Sequence, residues 1–167
     1  MIQLLSQETI NKIAAGEVIE RPASIVKELL ENSLDAKATR IEMDVEDGGK
    51  KLIQVTDNGL GMHEEDARLC LLRHATSKIR SADDLFTLVT FGFRGEALAS
   101  IASVSQMVLE TKQPGALQGI QVSLHEACVP VISPVALNTG TVVRVRNLFY
   151  NVPARQKFFK SSATEFS

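Results

Sequence analysis

Ile25, Val26, Leu29, Leu30 and Leu34 recur at helical spacing behind Pro22, a residue suited to the first turn of a helix because its missing N–H costs nothing there. Upstream, Ser6 is placed to cap a shorter helix over Gln7 to Ala15 that Gly16 closes. From Arg40 to Val45 the pattern changes to a period of two, with Ile41, Met43 and Val45 alternating with Arg40, Glu42 and Asp44, as in a half-buried strand. Asp47–Gly48–Gly49 turns the chain, and Lys51 to Thr56 reads as the antiparallel partner, ending at Asp57. Helical spacing returns from Glu64 to about Leu72. The stretch from Arg73 to Phe93 has no clean strand period, and segments of that kind often form lids. Gly95 to Val104 is rich in small residues and helical. Gln106 to Thr111, Gly119 to Leu124 and Thr141 to Arg146 predict further strands. The whole is expected to be an α/β two-layer sandwich, a mostly antiparallel mixed sheet with helices on one face. With neither repeat nor linker, it is expected to form one domain over residues 1–167.

Composition keeps that picture and narrows it. A chain of 167 residues with 44% hydrophobic and 23% charged residues can bury roughly 70% of its unfolded surface in a single core. Its two cysteines, Cys70 and Cys128, are far apart and lack metal-ligand spacing, which argues against a disulfide framework or a zinc site. No apolar run approaches a membrane span, and the N-terminus lacks the pattern of an export signal. These features fit a reducing compartment: cytoplasm in a bacterium, nucleus in a eukaryote. The net charge of −2 hides an uneven distribution, since Arg144, Arg146, Arg155, Lys157 and Lys160 fall in a stretch without an acid. That stretch is either a solvated basic edge or a surface for phosphates, of a nucleotide or of DNA.

Three polar features stand out against the hydrophobic frame. On the second helix, Glu28 and Asn32 are one turn apart and lie within about 60° of Ile25, at the edge of the apolar stripe. A solvated i,i+4 pair is the ordinary reading. The functional one gives each a job: an Asn carbonyl is a neutral oxygen ligand for Mg²⁺, and a carboxylate one turn away can orient and deprotonate an attacking water. Next, Asp57–Asn58–Gly59–Leu60–Gly61 follows a strand. It suits an Asx-type turn, and it equally suits a base pocket, where the Asp accepts a hydrogen bond from the exocyclic amine of adenine and the glycines let backbone lie against a flat ring. Last, Gly92–Phe93–Arg94–Gly95–Glu96–Ala97–Leu98 runs from a glycine-flanked turn into a helix, an arrangement whose free N–H groups attract phosphate. No GxxxxGK[ST] segment occurs, which excludes a P-loop.

The joint order of these features resembles the GHKL, or Bergerat-fold, ATPase superfamily, and the match is closer to its MutL branch of DNA mismatch repair proteins. Ile13 to Ala36, Arg73 to Ile79 (RHATSKI), Gly92 to Ile101 and Leu148 to Phe158 (LFYNVPARQKF) are all similar to MutL-type segments, over nearly the whole chain. Lys37 stands where many relatives have Gly, at a cost of order 1 kcal/mol if the position is left-handed. The resemblance implies Glu28 as general base, Asn32 as Mg²⁺ ligand, Asp57 as reader of adenine and Gly61 beneath the base. It implies that Thr76, Ser77 and Lys78, together with Gly92, Phe93, Arg94, Gly95, Glu96, Ala97 and Leu98, form the phosphate-binding lid and helix start, and that Thr141 lies near the adenine.

By the same resemblance, ATP drives conformational switching and closure of a dimer, which signals from a mismatch-sensor protein to downstream nuclease and helicase activities and binds DNA weakly and without sequence preference. Members of the branch carry a second N-terminal subdomain, supplying a Lys to the γ-phosphate, and a C-terminal dimerisation domain. Neither is found in residues 1–167, which are therefore expected to be the N-terminal part of a longer protein and to turn ATP over slowly alone. Two alternatives remain open at this point. One is another GHKL ATPase, of the topoisomerase-subunit or histidine-kinase type, although LFYNVPARQKF and IAAGEVIERP are not expected there. The other is a non-enzymatic DNA-binding module using the basic stretch.

Overall fold

The computed structural model describes Leu4, Thr9, Ile10, Ile13, Ala15 and residues 19–72, 97–124 and 130–159. In chain order the elements are α1 (Pro22–Asp35), β1 (Ile41–Glu46), a single 3₁₀ turn (Asp47–Gly49), β2 (Leu52–Asp57), α2 (Glu64–Leu69), α3 (Ala97–Ser103), β3 (Gln106–Lys112), β4 (Gly119–Leu124), β5 (Pro130–Val135), β6 (Gly140–Arg146) and α4 (Pro153–Gln156). The strands form one six-stranded sheet in the order β1-β2-β6-β3-β4-β5. Among the described residues all pairings are antiparallel, so the parallel component of the mixed sheet that the sequence suggested is not found there.

Alternation sorts each strand into two faces. Ile53 and Val55 of β2, Met107 and Leu109 of β3, Val122 of β4, and Val143 and Val145 of β6 enter one buried cluster with Ile25 and Leu29 of α1, Ala67 of α2, and Ile101 and Ala102 of α3. The opposite face is largely polar, with Leu52, Val108 and Val142 interspersed among its polar residues. There Arg144 pairs with Glu110 (2.8 Å) and donates to Gln54 Oε1 (2.8 Å), and Gln54 in turn donates to Asp44 (3.3 Å), a chain of contacts crossing strands β3, β6, β2 and β1. Both sheet edges are guarded against further pairing: β1 presents Glu42, Asp44 and Glu46, and β5 carries Pro130 and Pro134.

The helix α1 begins on Pro22 and buries Pro22, Ile25, Leu29 and Ser33, a stripe at spacings of three and four that lies on the sheet. It ends in a Schellman arrangement: Lys37 N–H donates to Leu34 O (2.9 Å) and Ala38 N–H to Ser33 O (3.1 Å). The position this motif gives to a left-handed residue is filled by Lys37, at φ 62°. An L side chain there costs about 1 kcal/mol that glycine avoids, less what glycine loses in the unfolded chain. Lys37→Gly is expected to raise the melting temperature by about 1–4 °C without changing ligand affinity. A melting curve that fails to rise contradicts this.

After β6 the chain packs back under the core. Asn147 and Phe149 both take positive φ (52° and 60°), and Phe149, fully buried, is held by its N–H to Val104 O (2.6 Å) and by a tilted ring contact with Phe159 at 5.6 Å. Arg155 lies over the Phe149 ring at 5.8 Å and donates to Ile19 O. The LFYNVPARQKF segment is therefore a plug at one end of the core, and its cations are partly absorbed in building it. The basic stretch is not one surface: Arg144 sits on the polar sheet face with Glu110, Arg155 against Phe149, while Arg146 and Lys157 are exposed and Lys160 lies outside the described residues. Elsewhere in the core, burial pushes the Cys70 thiol up to about 12, and its Sγ lies 3.2 Å from Ala67 O.

Candidate nucleotide-binding site

One row across the inner sheet face breaks its apolar character. The register aligns Ile120, Thr111, Thr141, Asp57 and Ile41 across β4, β3, β6, β2 and β1. The next row inward is wholly apolar: Val122, Leu109, Val143, Val55 and Met43. Three polar residues side by side, with Thr111 and Thr141 both buried, lie at the end of the sheet where the chain leaves β2 for the 58–63 loop. The path of β6 builds this row. It returns from the β5 edge to the centre of the sheet and so sets Thr141 directly beside Asp57.

Asp57 is held at both oxygens. Gly59 N–H donates to Oδ1 (2.8 Å), which is the Asx turn, and Ser33 Oγ of α1 lies 2.9 Å from Oδ2. A carboxylate offers about four acceptor positions, so two remain for a ligand. The turn and the base-reading role are thus compatible in one side chain. Asn58 braces the approach to β1: its Oδ1 accepts from Thr39 N–H (2.9 Å) and Arg40 N–H (2.8 Å), and its amide donates to Thr39 Oγ1 (2.9 Å). Leu60 N–H donates to Ala36 O (2.9 Å), tying the loop to the end of α1.

Two glycines are dictated by main chain, not only by space for a ligand. Gly61 has φ +63°, and a Cβ there would stand 2.2 Å from Lys112 O. Gly140 has φ +131°, and a Cβ would stand 2.0 Å from Asp57 O. The loop can close on the end of β3, and the start of β6 on the Asp57 end of β2, only because neither glycine carries a side chain.

Glu28 and Asn32 are half-buried and share one face of α1, with Asn32 immediately before the Ser33 that reaches Asp57. Asn32 is thus next in sequence to a residue that touches the polar row, and Glu28 stands one turn before it on the helix. Among the described residues no three His, Cys, Asp or Glu side chains gather as metal ligands. An ion beside Asn32 would draw most of its ligands from phosphate and water, a donor set that suits Mg²⁺. Ala97 and Leu98 begin α3, and the Leu98 side chain packs against the core, which leaves its backbone as the part available to a phosphate. Thr76, Ser77, Lys78, Gly92, Phe93, Arg94, Gly95 and Glu96 lie outside the described residues, as does the predicted lid. Sequence reasoning passed over Ser33, Thr111 and Gly140. For Ser33 the signal was present: a hydroxyl on an otherwise apolar helical stripe.

The chain belongs to the histidine kinase-, DNA gyrase B- and HSP90-like ATPase family, whose sequence profile matches residues 20–133. Within it the similarity runs to MutL. The chain is 55% identical over 164 residues to the DNA mismatch repair protein MutL of Syntrophotalea carbinolica, covering 98% of this chain and 26% of that protein, so it spans about a quarter of the length of such relatives. Among solved structures it is similar to the N-terminal domain of a DNA repair protein (TM-score 0.77, 30% identity, 94% of this chain and 45% of that one). It is also similar to the Aquifex aeolicus MutL ATPase domain in complex with ADP (TM-score 0.67, 39% identity, 89% of this chain and 51% of that one). The fold is the ATP-binding fold of this family. No helix among the described residues is long and apolar enough to cross a membrane.

Proposed function

We propose that this chain binds ATP with Mg²⁺ and hydrolyses it, and that the hydrolysis drives dimer closure in a MutL-like protein of DNA mismatch repair. The observation that carries this is the polar row of Thr111, Thr141 and Asp57 at the loop end of an apolar sheet face, with Asp57 tied to α1 through Ser33, the residue after Asn32. Asp57 accepts from the adenine amine, with Gly61 and its loop beneath the ring. Glu28 orients the attacking water and takes its proton. Asn32 would offer its side-chain oxygen to Mg²⁺, which would supply positive charge against the phosphates. Thr76, Ser77 and Lys78, with residues 92–98, enclose the phosphates.

The 39% identity to a MutL ATPase domain that holds ADP supports the nucleotide, and the 55% identity to a mismatch repair MutL supports the process. A mismatch sensor, a downstream nuclease or helicase, a second subdomain and a C-terminal dimerisation region belong to this reading, as does action in the cytoplasm or, in a eukaryote, the nucleus. Asn32→Ala tests the metal role. Nucleotide affinity is expected to fall in the presence of Mg²⁺ and to change little in its absence, measured by calorimetry. Equal affinity of variant and parent with Mg²⁺ removes Asn32 from the metal site.

DNA binding by the basic stretch is expected to be weak, independent of sequence and steeply reduced by salt, because it rests on phosphate contacts and counterion release. The engagement of Arg144 with Glu110 and of Arg155 with Phe149 supports the weakness. Mobility-shift titrations at two salt concentrations decide it. Tight binding that survives moderate salt contradicts the reading.

A further inference from the structure

Thr111 is fully buried, and its hydroxyl has three polar neighbours: Met62 N at 2.9 Å, Gly140 O at 3.2 Å and Thr141 Oγ1 at 3.1 Å. A hydroxyl has one proton and two lone pairs. The Met62 N–H can only donate, so it occupies one lone pair. The Gly140 carbonyl can only accept, so it takes the Thr111 proton. The proton between Thr111 and Thr141 must then come from Thr141, and it fills the second lone pair. Every group is satisfied in this arrangement, as burial requires. Its consequence falls on Thr141, whose own proton is committed inward.

We infer that Thr111 is a positioning residue for base recognition: by drawing in the Thr141 proton, it makes Thr141 present only lone pairs to the nucleotide, beside the acceptor Asp57. This rests on reading Asp57 and Thr141 as the base-recognition pair. Two adjacent acceptors directed at the C6 substituent of a purine favour hydrogens there, directly or through a water, and disfavour an oxygen. At C6 adenine carries an amine with two hydrogens and hypoxanthine a carbonyl, whereas at N1 the order reverses, so the discrimination falls on the C6 substituent. The same hydroxyl anchors Met62 and so holds Gly61 against Lys112, where a Cβ would stand 2.2 Å from the carbonyl.

The test is the ratio of ADP to IDP affinity, measured by calorimetry in the parent chain, Thr111→Val and Thr111→Ser, with a thermal melt of each. The parent is expected to prefer ADP. In Thr111→Val the Thr141 proton loses its acceptor and can turn to the hypoxanthine oxygen, so the preference narrows by about fivefold or more, roughly the worth of one hydrogen bond. Thr111→Ser keeps the hydroxyl and is expected to keep the parent's ratio even if its melting temperature falls. A merely structural role lowers both affinities together and leaves the ratio alone. An unchanged ratio in Thr111→Val overturns the inference, and, should that variant not fold, so does a narrowed ratio in Thr111→Ser. A parent that binds ADP without preferring it contradicts the roles given to Asp57 and Thr141, and a parent that binds neither nucleotide contradicts the site itself.

Discussion

Replacing Glu28 with Ala is expected to leave ATP binding with Mg²⁺ intact and to slow hydrolysis by about 10²- to 10⁴-fold, the range a positioned general base contributes. The carboxylate lies at the half-buried edge of α1 and not in its buried stripe of Pro22, Ile25, Leu29 and Ser33. Its removal therefore opens no cavity in the core, and the binding proposed for Asp57 and Asn32 does not depend on it. Single-turnover hydrolysis and equilibrium binding on the same preparation separate the two effects. Comparable turnover in variant and parent removes Glu28 from the chemistry.

The second large effect is expected at Asp57. Asp57→Asn keeps an oxygen to accept from Gly59 N–H, so the turn survives, and its new amide faces a Ser33 hydroxyl that can accept. What is lost is the anionic acceptor that the proposed site offers to the base. A hydrogen bond to a charged group is worth about 1.5–3 kcal/mol, so nucleotide affinity is expected to fall by roughly 10- to 100-fold with little change in melting temperature. An Asp57→Asn protein that binds ATP as tightly as the parent assigns the base to other residues. The two variants fail in different ways, one in turnover and one in binding, and that contrast is itself a consequence of their placement.

Much of this fold is legible in the sequence, and the exceptions have physical causes. The helix α1 is plain because its apolar residues keep helical spacing behind a proline, and β1, β2, β3, β4 and β6 begin within a residue or so of where alternation places them. Strand β5 is missed because Pro130 and Pro134 mark it as irregular, although an edge strand tolerates residues that donate no ladder hydrogen bond. The one-turn helix α4 is too short to show a period. Helix α2 stops at Leu69, before the predicted Leu72.

The candidate site is legible in part. Glu28, Asn32 and Asp57 stand out by type and spacing, but the row that joins Asp57 to Thr141 and Thr111 depends on register between strands distant in sequence, which local pattern does not encode. The basic stretch misleads for the related reason that neighbours in sequence can face apart. Arg144 points from a strand into the Glu110 pair, while Arg155 turns inward to Phe149.

The most direct test of nucleotide binding at the polar row is a calorimetric titration of a non-hydrolysable ATP analogue into the parent chain and into Asp57→Asn, each with and without Mg²⁺. One site per chain is expected, with affinity raised by Mg²⁺ in both proteins and roughly 10- to 100-fold weaker in the variant. No binding by the parent chain, or equal affinity in parent and variant, would contradict it.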